Sequence, residues 1–479
     1  ALDILSRLVD KSLVLVEDVG RSTRYRLLEP VRQHAVQHLL TSGDGETTSA
    51  RHAAFYLSLA ERAEPELRGP EQVAWLKRLD REQDNLRAAL RWTQTHGEAE
   101  TGLRLAGSLV GFWEGRGYLS EGRRWLAAML TEGPAPTPSH ARVKALLGAG
   151  HVAQWQADLD AADTFLEESL AMARALEDAQ HVAESLAWLG TIHMRRLATT
   201  EAVALLEESL ALSRDEGDTP GIAFGLLVLG VTVGNDGDVH RAAALLDESV
   251  TLFRQLGDVR YTAIALTMRG DIARERGDLG QATALLREGL AGHRAIGDRA
   301  FLMENLLQLA GVAVARGQMS RAARLLGATE AARGVLGVAL APTNSKTQEL
   351  FVTTIRAQLA QAEFEAAWAA GRAMTLDEAA AEEMAIGRPA SPSSARATVI
   401  PPESPPVVLT RREEEVARLV AQEHTDRQIA AALGITVGTV GIHIHNMLAK
   451  LGVRSRWQVA DWALAQGLLD QTADPHATV

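Results

Sequence analysis

A period of 40 residues constrains this chain more than any other feature. Leu166-Glu167-Glu168-Ser169-Leu170 returns as Leu206-Glu207-Glu208-Ser209-Leu210, then as Leu246-Asp247-Glu248-Ser249-Val250, and in weaker form as Leu286-Arg287-Glu288-Gly289-Leu290. Breaks fall at half that period. Gly217, Gly237, Gly257, Gly277, Gly297 and Gly317 lie 20 residues apart, and the first five are each followed by Asp. A glycine at positive φ ends a helix and an Asp caps the next, so each period predicts two antiparallel helices of about five turns. Gly150, Gly190, Gly230 and Gly270 each precede an alanine (Ala162, Ala202, Ala242, Ala282) by twelve residues, and a leucine follows four residues after each alanine. Small residues let paired helices approach, and the leucines fill the space between repeats. Ala310 and Ala322 continue the pattern, and a fainter copy runs from Gly117 to Leu130. The Glu pairs are expected to be solvated helix faces.

Composition agrees with helices. The 479 residues are 46% hydrophobic but only 4% aromatic, which favours close-packed Ala and Leu over a β-sandwich or barrel. With no cysteine there is no disulfide scaffold, thiolate metal site or Cys nucleophile. A net charge of −12 excludes a chain that coats nucleic acid along its whole length. No apolar run reaches membrane-spanning length and no secretory signal opens the sequence, so a cytoplasmic location without membrane contact is expected. The chain opens at Ala1 inside an apparent helix, Leu2 to Val9, and reads as part of a longer protein.

The small, Ala and large apolar positions resemble the tetratricopeptide pattern, lengthened to 40 residues, and imply a solenoid with a concave face for an effector or protein partner. Residues 131–372 are assigned to this array and 43–130 to a helical connector with early repeats. In residues 1–42, Leu13-Val14-Leu15-Val16-Glu17 and Thr23-Arg24-Tyr25-Arg26-Leu27-Leu28 read as a hairpin about an Asp18-Val19-Gly20 turn, followed by a helix from Pro30 to about Leu40. The stretch Arg24 to Gln33 resembles the winged-helix end of signal-transduction NTPases. A phosphate loop needs a lysine after glycine, and none of Lys11, Lys77, Lys144, Lys346 and Lys450 follows one. No cofactor is therefore expected in this chain, and ATP only in a module upstream of it.

Six of the fifteen prolines fall between Pro389 and Pro406, within a Pro/Ser-rich linker assigned to residues 373–408. Beyond it, Thr410/Glu413, Thr425/Gln428 and Ser455/Gln458 form capping-box pairs. Four helices follow, 411–422, 426–433, 437–451 and 456–466. The second and third are joined by Leu433-Gly434-Ile435-Thr436, the short connection of a helix-turn-helix. Leu409-Thr410-x-Arg412-Glu413-x-Glu415-Val416, Ile429-Ala430, Thr439-Val440-x-x-His443 and Lys450-Leu451-Gly452-Val453-x-Ser455-Arg456 resemble the LuxR-type DNA-binding domain over residues 409–470, with a tail at 471–479.

That resemblance implies a DNA-contacting set of Thr425, Arg427, Gln428, Thr436, Val437, Thr439, Val440, Gly441, Ile442, His445, Lys450 and Arg454. In it, Gly441, Ile442 and His445 face base edges, and Arg427, Thr439 and Lys450 lie near the backbone. The spacing of Val440, Ile444, Met447, Leu448 and Leu451 is that of a buried face. Val459, Trp462 and Ala463 on the fourth helix serve either a dimer contact or the module's own core. The module departs from its family in having Gly438 and Gly441 on the recognition helix. It also balances seven Arg plus Lys against seven Asp plus Glu. Weak monomer binding, strengthened by a homo-dimer or oligomer on double-stranded DNA, is expected.

The whole therefore reads as an all-α chain: a solenoid with a small N-terminal winged-helix piece and a C-terminal helix-turn-helix. Its expected function is a transcriptional regulator in which the repeats sense an effector. The alternative is an interaction scaffold whose helix-turn-helix no longer reads sequence. No nucleophile elbow or zinc-spaced His pair supports an enzyme.

Overall fold

Pairs of helices follow the 40-residue period. The computed structural model describes residues 2–19, 22–131, 138–336, 342–386, 409–422, 424 and 426–435, together with Val440, His443, Ile444, Met447, Lys450 and Ala463. It divides into two units, Ala1–Arg388 and Pro389–Val479.

In the first unit the repeats are His140–Trp155 with Leu159–Ala175, Ala179–Arg195 with Thr199–Asp215, and Thr219–Asn235 with Val239–Leu256. Val259–Glu275 with Leu279–Ile296 and Arg299–Ala315 with Met319–Leu336 complete the series. All six periodic glycines take positive φ. The Asp side chains at 158, 178, 238, 258, 278 and 298 accept a hydrogen bond from the backbone N–H three residues on. Three earlier turns adopt the same left-handed geometry without glycine, at Ala157, Glu177 and Leu197.

The small-residue pattern has a direct steric cause. A Cβ on Gly150, Gly190, Gly230 or Gly270 would stand 2.6, 2.7, 2.8 or 2.7 Å from the Cγ of Leu166, Leu206, Leu246 or Leu286, and all four leucines are fully buried. The serine of the repeated motif has its own task. Ser169, Ser209 and Ser249 donate to the carbonyls of Val143, Ala183 and Ala223 at 3.3, 2.7 and 2.9 Å, pinning each second helix to the first helix of its own pair. The glutamates are exposed as expected, and they also bridge neighbouring repeats, as in Arg241–Glu207 at 2.8 Å and Arg174–Glu208 at 3.3 Å. Exposed pairs of this kind contribute about 0–1 kcal/mol each.

Before the repeats lie Leu2–Asp10, an antiparallel hairpin of Val14–Val19 and Ser22–Leu27 in which Val16 pairs with Tyr25, and the helix Glu29–Thr41. Gly45–Glu66, Gln72–Thr95, Ala99–Ser108, Val110–Arg116 and Leu119–Thr131 lead into the array. After it come Pro342–Gln358, Gln361–Arg372 and Leu376–Ala385. The last of these corrects the expected linker. Residues 376–385 form a helix opened by a Thr375/Glu378 capping box, with Ala379 and Ala380 buried and Glu383 ion-paired to Arg321.

Candidate functional site

In the second unit, Thr410 caps the helix Arg411–Ala421. Its hydroxyl accepts from the Glu413 N–H at 3.3 Å while its own N–H donates to Glu413 Oε2 at 2.7 Å. The helix Asp426–Leu433 ends at Gly434, whose φ of +63° turns the chain, and the Ile435 N–H returns to the Ala430 carbonyl at 3.0 Å. A 6→1 bond closed by a left-handed glycine is a Schellman stop, and here it makes the turn of a helix-turn-helix. Arg412 fixes that turn by donating to the Leu433 carbonyl. Leu409, Val416, Ala417, Val420, Ile429, Ala430, Val440, Met447 and Ala463 form one buried cluster.

Two members of the expected site are corrected by this core. Val440 is 0% exposed, so it faces the module's interior and reaches no DNA; its place follows the buried-face spacing instead. Ala463 is likewise 0% exposed and packs within its own module rather than toward a second subunit. Lys450 is helical and exposed, and its ammonium lies 2.8 and 2.7 Å from the two oxygens of the buried Glu413. Burial alone would raise the Glu413 carboxyl, but the hydrogen bonds from Lys450 and Thr410 outweigh it and hold the group below its ordinary range. Gln428 is exposed on the second helix, and Arg427 lies on the same helix. Thr425, Thr436, Val437, Thr439, Gly441, Ile442, His445, Arg454, Val459 and Trp462 lie outside the described residues, as do Gly438, Leu448 and Leu451.

In the first unit the structure brings together residues that the sequence separates by more than 140 positions. The Gln72 amide donates to Asp258 Oδ1 at 3.3 Å and accepts from the Arg260 N–H at 3.0 Å. Arg260 is buried between Glu114, with which it is ion-paired, and Asp298 at 2.8 Å. His151 Nε2 lies 3.3 Å from Glu114. Burial opposes ionisation of Glu114, yet Arg260 and His151 prevail and hold its carboxyl well below the ordinary range. Arg116 donates to the Ile296 carbonyl at 3.2 Å. The connector is thereby fastened across the array to its fourth repeat. Nothing in the repeat pattern marks Gln72, Glu114 or Arg260, whose counterparts at the period are His140, Gln180, Pro220 and Ala300.

Comparison with known proteins assigns the second unit. Residues 407–463 match the family of bacterial regulatory proteins of the luxR type. A putative HTH-type transcriptional regulator of Mycobacterium tuberculosis is 35% identical over 196 residues, covering 40% of this chain and 22% of the relative. The nitrate/nitrite response regulator protein NarL of Escherichia coli is 37% identical over 90 residues, covering 18% of this chain and 42% of that one. The chain thus spans 22% of the length of the first of these relatives. Among solved structures, a Rap protein complexed with competence and sporulation factor aligns with 65% of this chain and 80% of its own, at 12% identity and a TM-score of 0.43. A signal transduction ATPase with numerous domains and a tetratricopeptide repeat sensor, from Pyrococcus horikoshii, aligns with 79% of this chain and 59% of its own, at 12% identity and a TM-score of 0.42.

The chain carries a luxR-type helix-turn-helix domain at its C-terminal end, behind an all-α array of tetratricopeptide-like repeats. Among the described residues no helix is long and apolar enough to cross a membrane.

Proposed function

We propose that the chain acts as a DNA-binding transcriptional regulator in which the helical-repeat array governs the helix-turn-helix. The observation that carries this is the luxR-family match over residues 407–463, on a segment whose Gly434 turn and buried cluster build the required module. The array supports an effector or protein partner because stacked helix pairs leave a long inner surface between repeats. Within the module, Arg427, Gln428 and Lys450 are proposed to hold the phosphate backbone, with Gly441, Ile442 and His445 toward bases. Thr425, Thr436, Val437, Thr439 and Arg454 complete the contact. Val459 and Trp462 are proposed for subunit contact, and activity on DNA is proposed to require a dimer or higher oligomer in the cytoplasm.

The test is an electrophoretic mobility assay of the full chain with double-stranded promoter DNA from the neighbouring genes, repeated over a salt series. Specific retardation that weakens steeply with salt, and falls on Arg427→Ala, is the expected result. No retardation at low ionic strength and high protein concentration would sink the proposal.

One observation favours a second reading, a scaffold whose helix-turn-helix no longer reads sequence. The Lys450 ammonium is already committed to Glu413. On that reading, Arg427→Ala and Lys450→Ala leave cellular function intact.

A further inference from the structure

One position of the period interrupts a run of rings in the later repeats. The third residue of the first helix in the second to fifth repeats is His181, Gly221, Tyr261 and Phe301, and the 40-residue period places Ala141 at the corresponding position of the first. The rings at 181, 261 and 301 sit above an Asp whose carboxylate caps their backbone N–H, at 3.1, 2.9 and 3.2 Å. At Gly221 both elements are changed. No ring is present, and Asp218 makes no capping bond. Its Oδ2 has instead moved into the space where a Cβ on residue 221 would stand, and Ser213 Oγ lies 2.7 Å from the same point.

Two polar groups are consequently left without partners beside an opening. Ser213 is 1% exposed, and its hydroxyl has no hydrogen-bond partner among the described residues. Asp218 makes no ion pair or side-chain hydrogen bond among them either. Both line a cavity of about 760 Å³, the size of a small-molecule site. Its wall continues through Trp188, Phe224, Tyr261 and Phe253, whose ring centroids follow one another at 4.5, 5.7 and 5.2 Å. The cations on the wall are already neutralised: Arg68 lies 3.7 Å from Glu184, and Lys144 is ion-paired with Glu64. No cation on the wall therefore balances the Asp218 carboxylate at the gap; Glu66, also on the wall, is likewise outside any ion pair among the described residues.

We infer that this cavity binds a small organic cation, a protonated amine carried on an apolar ring, with the ammonium on Asp218 and Ser213 and the ring against Phe224 and Trp188. A carboxylate and an aromatic face together favour an ammonium over a neutral or anionic group of the same shape. The ligand's ring takes the place that His181, Tyr261 and Phe301 fill in neighbouring repeats. The inference rests on the reading of the array as the sensing part of a regulator, and it deepens that reading by naming the ligand chemistry.

The experiment is calorimetric titration of the full chain with tryptamine and 2-phenylethylamine, against indole-3-propionate and 3-phenylpropionate as anions of similar shape. Amine binding with a Kd of about 1 mM or tighter, at least tenfold stronger than the matched acids, is expected. Asp218→Asn should weaken the amines at least tenfold. Gly221→Tyr, which copies the next repeat, should abolish binding while Asp218 returns to its capping place. Equal binding of amines and acids, no binding of either amine, or full affinity in Asp218→Asn overturns the inference. A mobility assay on DNA is run separately. DNA retardation without amine binding removes this site alone, whereas amine binding without retardation removes the regulator reading and leaves the site.

Discussion

Single residues in this array are held in conformations that their side chains resist. Glu177 and Leu197 occupy the left-handed turn at φ of 55° and 61°, where later repeats have glycine. An L-residue there costs about 1–2 kcal/mol, against about 0.5–1 kcal/mol of extra chain entropy lost when glycine is ordered. Leu197 is 55% exposed, so little burial is lost with its side chain. Leu197→Gly should therefore stabilise the protein by up to about 1 kcal/mol, read as a higher denaturant midpoint at unchanged m-value. Gly257→Ala should do the reverse, since its Cβ would also stand 3.0 Å from Pro70. Half-period glycines are legible from Gly217 onward; the three earlier turns are not, because Ala157, Glu177 and Leu197 carry no local preference for a left-handed turn.

His293 is a second residue-scale case. It is fully buried, stacked on Phe301 at 5.6 Å, with Nε2 3.2 Å from the Thr267 hydroxyl. Burial pushes its pKa down to about 4, from 6.5 in an unfolded chain. Between those values the unfolded chain binds a proton that the folded one refuses, so stability is present above about pH 6.5 and is lost as pH falls toward 4. The shift corresponds to on the order of 3 kcal/mol. Denaturation at pH 7 and pH 4.5 should show this loss, and His293→Phe should flatten much of the slope. An unchanged slope in the variant would refute the assignment.

At the scale of elements, the repeat made helix pairs, their lengths and their capping readable from 40-residue spacing alone. What escaped it lies where the pattern ends. The helix Leu376–Ala385 was hidden by the proline-rich stretch that follows, although Thr375 and Glu378 carry a capping box like that of Thr410 and Glu413. The contact between Met319–Leu336 and Gln361–Arg372 was also invisible, because it depends on two glycines outside the period. A Cβ on Gly371 would overlap the Arg324 carbonyl, and one on Gly327 would overlap that of Trp368. Backbone cannot yield as a side chain tip can, so Gly371→Ala should cost about 1–3 kcal/mol or more. Hydrogen exchange should localise the damage to residues 319–385, with the repeats from 140 to 296 keeping their protection. In the C-terminal module the turn at Gly434 and the buried spacing of Val440 and Met447 were legible. The pairing of Lys450 with Glu413 was not, since 37 residues separate them.

For the array as a whole, the fastening of the connector to the fourth repeat is the property that no local pattern encodes. A linear solenoid contacts only its neighbours, and its repeats open nearly independently. Here Gln72, Glu114 and Arg116 reach Asp258, Arg260 and Ile296, so opening the connector requires breaking contacts with the fourth repeat. The energetic centre is Arg260, 6% exposed, with carboxylates on both sides. Removing one partner of a buried pair leaves a charge uncompensated and costs about 3–5 kcal/mol; with Asp298 still in place, the lower end applies. Glu114→Ala should then lower stability by about 3 kcal/mol. The decisive readout is where protection is lost. If the connection is cooperative, amide exchange accelerates together in residues 66–72 and 257–261, more than 180 positions apart. Loss confined to the segment around residue 114 would show that the array opens as a simple chain of repeats and that the fastening adds no coupling between the connector and the fourth repeat.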